Sequence, residues 1–127
     1  MKLLLDSHVF IWWIEDALPQ AIRDACTDAD NRVFISAASA WELQIKQDLG
    51  KLKLSLPIQA LFDQQLSRNG LEFLPIKPEH IWALADLPRL HGDPFDRLLV
   101  AQARHEDLTL VSADAVMQGY PVEVLWT

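Results

Sequence analysis

Cysteine is nearly absent: Cys26 is the only one in 127 residues. The chain therefore forms no internal disulfide and no thiolate zinc cluster, which fits a reducing compartment. No stretch approaches the ~20 consecutive apolar residues of a membrane span. Residues 1–8 do not read as a secretory leader, because Asp6 and His8 interrupt the apolar run and no small-residue cleavage site follows. Repeats, low-complexity tracts and linkers are missing as well. Together these absences predict a cytoplasmic chain with no membrane association, folded as one unit over residues 1–127.

Positive charge is also scarce. Lysine and arginine total 11 against 18 aspartates and glutamates, a net charge of −7. That balance works against gripping nucleic acid by bulk electrostatics. It is compatible with carboxylates that are clustered and neutralised by cations. Half of the residues are hydrophobic and 23% are charged, a globular composition that excludes a disordered chain.

Short apolar runs at residues 2–5, 32–36, 71–75, 108–111 and 121–125 read as strands. Helical patterns lie between them. Residues 9–15 form one, although the adjacent Trp12 and Trp13 cannot both face the same core. Residues 19–27 form the next, with Ala21, Ile22, Ala25 and Cys26 on one face. Ser36 or Ser39 offers a cap for a helix running to about Asp48, with an apolar stripe of Ala38, Trp41, Ile45 and Leu49 and a stop at Gly50. Residues 57–69 and 78–87 complete this set. Strands alternating with helices predict an α/β fold, a mostly parallel five-stranded sheet with helices on both faces.

The most informative stretch is residues 91–103. Asp93 followed by Pro94 reads as N-cap and first helical residue, because proline has no N–H to leave unpaired there. Phe95, Leu98, Leu99, Gln102 and Ala103 then share a face, and Asp96 and Arg97 occupy the first turn. Taken alone, Asp96 could simply complement the helix dipole, worth roughly 0.3–1 kcal/mol.

The topology gives it company. Ligands of open parallel sheets bind beyond the carboxyl ends of the strands. Asp6 follows the first strand and Asp114 follows the fourth. The helix carrying Asp96 leads back into the fourth strand, so its start lies on the same edge. Glu42 is early in the helix after the second strand, within reach of that rim. Two like charges 4 Å apart repel by about 4 kcal/mol at an effective dielectric of 20, so such a cluster takes up protons or binds a cation. Oxygen donors without cysteine or paired histidine favour Mg²⁺ or Mn²⁺. An ion of that kind activates water and polarises a phosphodiester, while Arg97 or a nearby lysine could hold a phosphate oxygen.

Residues 3–8 (LLLDSH), 39–43 (SAWEL), 93–103 (DPFDRLLVAQA) and 110–114 (LVSAD) together resemble the PIN domain, and more narrowly the VapC-type toxins of bacterial toxin–antitoxin pairs. The DPFDRLLVAQA run, in order with the others, is the specific part. The resemblance covers essentially the whole chain and implies a three-layer PIN-like fold and a Mg²⁺- or Mn²⁺-dependent endoribonuclease acting on structured RNA such as tRNA or ribosomal RNA. By position Asp6, Glu42 and Asp96 match the family's acidic triad, Asp114 its more variable fourth acid, and Ser112 a Ser/Thr position supporting the water network. Asp93 remains a cap that could back the site from behind. A cognate antitoxin and a homodimer are the implied partners, with Trp12 and Trp13 as apolar anchors for the former.

Other residues receive ordinary roles. His8, His80, His91 and His105 show no ligand-pair spacing and read as polar or capping groups. Trp12, Trp13, Trp41 and Trp82 are assigned mainly to the core. Lys46, Lys51 and Lys53 could track an RNA backbone or merely face solvent. Two rivals stand beside this reading. A haloacid-dehalogenase-like phosphohydrolase would want a second aspartate at position 8, which is His8. A binding module that holds RNA or a partner without cutting would not need the acidic set.

Overall fold

The computed structural model describes residues 1–127. Its strands are β1 (Lys2–Leu5), β2 (Arg32–Ser36), β3 (Glu72–Leu74), β4 (Thr109–Val111) and β5 (Val124–Leu125). They lie in the order β3-β2-β1-β4-β5, every neighbouring pair parallel. The helices are α1 (Ser7–Ile14), α2 (Gln20–Thr27), α3 (Ala37–Asp48), α4 (Ile58–Arg68), α5 (Pro78–Trp82) and α6 (Pro94–His105).

Alternation along the strands builds two cores. Leu3, Leu5, Val33, Ile35 and Val111 point to one face, where Val9 and Phe10 of α1, Ile22 of α2 and Ile58 and Phe62 of α4 cover them. Leu4 and Leu110 point to the other, against Leu98 to Ala103 of α6, Met117 and Tyr120. Both faces are therefore dry, which is why the central strands read as unbroken apolar runs rather than as polar–apolar alternation.

α3 belongs to neither layer alone. Its Ala38 packs in the α6-side core and its Leu43 in the α1-side core. The helix thus lies across the carboxyl edge of the sheet. β1 connects to β2 on one side, whereas the chain after β3 returns to place β4 on the other side of β1. The strand order reverses between β1 and β4, and that crevice is where a ligand of such a sheet is expected.

Several sequence expectations need correction. Of the proposed stripe on α3 only Ala38 is buried: Trp41 is 60% and Leu49 64% exposed, and the other buried residues are Ser39, Glu42 and Leu43. A helix seated on strand ends meets polar groups, so its inner face is small and polar. Trp82 also leaves the core at 69% exposure, while Trp12 and Trp13 are both half-buried, Trp12 with its ring 5.7 Å from that of Trp126. Finally, the helix expected at 78–87 is α5 followed by a 3-10 turn (Ala83–Asp86), and the last strand is only Val124–Leu125. On α2, Ile22 and Cys26 are buried but Ala21 is exposed. Gly50 and Gly70 follow α3 and α4 with φ of +72° and +66°, values that suit glycine and stop the helices there.

Candidate active site

Asp6 is held in place by the turn from β1 into α1. It caps α1, its Oδ1 accepting the Val9 N–H at 2.8 Å, and its own N–H donates to Val111 O at 3.0 Å. These two bonds fix its carboxyl group beside the end of β4. Only 4% of Asp6 is exposed. Burial raises its pKa, the neighbouring Glu42 charge pushes the same way, and a hydrogen bond from Ser112 opposes both.

Glu42 reaches the same place from α3. The Ser7 hydroxyl donates to its Oε1 at 2.6 Å and Lys46 Nζ donates to its Oε2 at 3.0 Å. Ser39 Oγ lies 3.1 Å from Ser7 Oγ, and with the Ser7 proton committed to Glu42, Ser39 is the donor of that pair. A carboxylate that is 6% exposed is thus met by two donors.

Asp96 lies in the first turn of α6. Asp93 caps that helix, accepting the N–H groups of Phe95 (2.9 Å) and Asp96 (3.0 Å). The Asp96 pKa is raised to about 6, first by burial and then by the charge of Asp93, with Glu42 and Asp6 adding to it and a hydrogen bond from His91 opposing. Asp6, Glu42 and Asp96 therefore lie within one another's electrostatic reach, although they are far apart in sequence.

Asp114 follows β4 on the same edge. Its side chain is exposed and accepts the Val116 N–H at 3.1 Å, capping the 3-10 turn Ala115–Gly119. The charges that raise Asp96 do not include it. Ser112 is buried, favours the charged form of Asp6 and accepts the Asp114 N–H at 3.1 Å. Arg97 directs its Nη1 to Pro88 O (2.8 Å) and the Tyr120 hydroxyl (3.4 Å), a different engagement from the phosphate contact considered from sequence. Trp12 and Trp13 stand on α1 against the α1-side core, Trp12 beside Trp126.

Several residues here carried no assignment from sequence. Ser7 and Ser39 orient or back Glu42, and Ser7 was findable because it directly follows the strand-end Asp6. His91, read as an ordinary polar group, has Nε2 3.2 Å from Asp96 Oδ2. Its partner Tyr120 is 29 positions away, and no local pattern links the two.

A second group of ligand-type side chains, His80, His105 and Glu106, has ligand atoms within 4.8 Å of one another. It sits at the far end of α6, ten residues from Asp96 and so roughly 15 Å along the axis. His80 Nδ1 accepts the Lys77 N–H at 3.0 Å, so the ring proton is on Nε2 and is donated to Glu106 Oε1 at 3.0 Å. That bond holds Glu106 below the usual carboxylate range. The group ties α5 to α6 and is separate from the strand-end carboxylates.

The donor set on the β1–β4 edge suits a hard divalent cation. It consists of oxygens only, and the charges of Asp6 and Asp96 are made costly by burial and by neighbouring carboxylates. An ion would relieve that repulsion.

Comparison with known proteins agrees with this geometry. The PIN domain family model matches residues 3–122. Ribonuclease VapC22 of Mycobacterium tuberculosis is 31% identical over 121 residues, covering 92% of this chain and 90% of its own length. Among solved structures, VapBC2 from Rickettsia felis bound to a DNA fragment from their promoter superposes with a TM-score of 0.76 at 22% identity, over 98% of both chains. DNA-bound VapBC from Salmonella typhimurium gives 0.69 at 18% identity, over 98% of this chain and 97% of that one. With a family match over nearly its whole length and a VapC relative of similar extent, this chain belongs to the PIN domain family.

Proposed function

We propose that the chain is a divalent-metal-dependent endoribonuclease, a single PIN unit over residues 1–127 that acts as the toxin of a toxin–antitoxin pair. One observation carries this reading: Asp6, Glu42 and Asp96 converge at the strand-order reversal, largely buried, with Asp6 and Asp96 raised in pKa by burial and by neighbouring negative charge. Purely structural carboxylates gain nothing from that placement. The naming of its relatives as a ribonuclease and as VapBC assemblies supports the substrate class and an antitoxin partner.

Asp6, Glu42 and Asp96 would hold the ion, Mg²⁺ or Mn²⁺, with Asp114 as a fourth acid on the same edge. When bound, such an ion lowers the pKa of water and neutralises charge gathering on a phosphodiester. The remaining work falls to the chain. Ser7 fixes one oxygen of Glu42 and Lys46 the other, so α3 presents a carboxylate of set orientation. Ser112, just after β4, favours the charged form of Asp6, whose Oδ1 is held by the Val9 N–H. The substrate is structured RNA, tRNA or ribosomal RNA, met in the cytoplasm. A homodimer and an antitoxin segment laid over Trp12 and Trp13 complete the proposal.

The test is cleavage of total cellular RNA by purified protein with Mn²⁺, with EDTA, and with Asp96→Asn. Discrete products in Mn²⁺ that vanish in EDTA and in the variant are expected, with a loss of at least about a hundredfold, since a missing ligand removes the ion's share of the chemistry. Near-wild-type cleavage by Asp96→Asn, or cleavage indifferent to EDTA, would overturn the reading.

A further inference from the structure

His91 lies in the loop before α6, outside every acidic motif, yet it contacts the Asp96 carboxylate. The hydrogen-bond polarity of this contact is determined by its ends. Asp96, when ionised, can only accept, so the His91 Nε2 at 3.2 Å carries the proton. In the neutral ring Nδ1 then has a lone pair, and the Tyr120 hydroxyl at 2.7 Å donates to it. The Tyr120 oxygen in turn accepts from Arg97 Nη1 at 3.4 Å, and the same Nη1 is anchored on Pro88 O at 2.8 Å. Arginine can only donate. With the His91 ring neutral and Asp96 ionised, the chain has one consistent direction: Arg97 to Tyr120 to His91 to Asp96.

Its setting makes the chain stiff. Tyr120 is 3% exposed and belongs to the α6-side core, and the His91 and Tyr120 rings pack with centroids 5.5 Å apart. His91 and Asp96 side chains are each about one-fifth exposed, at the boundary between that core and the crevice. The contact takes only Oδ2 of Asp96 and leaves Oδ1 for whatever enters the crevice.

We propose that His91, locked in its Nε2–H form by Tyr120 and Arg97, is a positioning residue that sets the orientation of the Asp96 carboxylate for the divalent ion. This rests on the nuclease reading above. Arg97 then braces Tyr120 and the 88–91 loop from behind the site instead of gripping substrate. Removing a partner that orients a ligating carboxylate typically costs 10–100-fold in metal affinity or activity.

Mn²⁺ affinity, measured by isothermal titration calorimetry at pH 7.5 on the full chain, tests the proposal, with RNA cleavage as a second readout. Tyr120→Phe keeps the ring and its packing and removes only the hydroxyl; His91→Phe removes the contact itself; His91→Gln restores a donor. The expected result is Mn²⁺ binding weakened about 10–100-fold in His91→Phe, weakened less in Tyr120→Phe, and partly recovered in His91→Gln. In cleavage, kcat falls while KM for RNA stays put. Tyr120→Phe carries the test if His91→Phe fails to fold. Wild-type Mn²⁺ affinity in folded Tyr120→Phe and His91→Phe, alongside an Asp96→Asn that has lost binding, would overturn the positioning role alone. Absence of Mn²⁺ binding in the wild type would instead overturn the nuclease reading on which it rests.

Discussion

At the scale of single residues, Asp96 combines two demands that oppose each other in the metal-free protein. It must be a carboxylate, and it is placed where burial and the charge of Asp93 disfavour one, lifting its pKa from 3.8 to about 6. The consequence for stability has a definite sign. Between those values the folded chain holds a proton that the unfolded chain has released, so the folded state is favoured at low pH and loses that advantage as pH rises through about 6. Glu72 and Glu106 are shifted downward by Arg32 and His80, and their contribution runs the other way, fading as the solution becomes acid. Asp96→Asn isolates the first effect, because the amide does not titrate. In EDTA, urea unfolding between pH 4.5 and 7.5 should show the variant gaining stability relative to wild type as pH rises. Parallel curves would mean that Asp96 is not under this strain.

At the scale of elements, the decisive feature is how α3 is seated across the strand ends. Ser36 closes β2 and opens α3: its hydroxyl accepts the Ala38 N–H at 2.9 Å and donates to Gln102 Oε1 on α6. One buried hydroxyl therefore sets the relation of α3, bearing Glu42, to α6, bearing Asp96. Ser36→Ala removes a cap worth about 1 kcal/mol and leaves the buried Gln102 oxygen short of a donor, a further 1–3 kcal/mol or so. A loss of about 2–4 kcal/mol in denaturant unfolding is the expected sum; a loss below about 0.5 kcal/mol would show that the hydroxyl is not the joint described here. The same seating explains what the sequence could and could not reveal. Asp6 was legible because a strand end is a local event and the edge rule for parallel sheets does the rest. Asp93 was legible because Asp-Pro at a helix start has one good reading, and it caps as expected. Trp41 was not: hydrophobic periodicity assumes that the buried face is apolar, whereas α3 buries Ser39 and Glu42 and leaves Trp41 outside, edge-on to Phe95 at 5.1 Å. Nor was the His91–Tyr120 contact, which joins two loops that become neighbours only when the chain after β4 packs against α6.

At the scale of the whole molecule, the puzzle is an acidic protein, net charge −7, proposed to act on a polyanion. The carboxylates at the β1–β4 crevice concentrate part of that charge where it does most harm to phosphate approach, and on the proposed reading a divalent ion changes its sign locally. Ion binding should therefore be felt by the fold as a whole, not only by the reaction. An ion that binds the folded state alone stabilises it by about 2.7 kcal/mol at a hundredfold excess over Kd, which for a chain of this length is a rise of about 8–14 °C in Tm. The rise should shrink at pH 5.5, where Asp96 holds a proton that the ion must displace. It should also be lost in Asp96→Asn, which has no charge there to neutralise. Differential scanning calorimetry of the wild type with Mn²⁺ and with EDTA at pH 7.5 and 5.5, and of the variant at pH 7.5, measures all three. A Tm that ignores Mn²⁺ at pH 7.5 would mean that these carboxylates coexist without a cation, and the acidic crevice would then repel RNA rather than receive it.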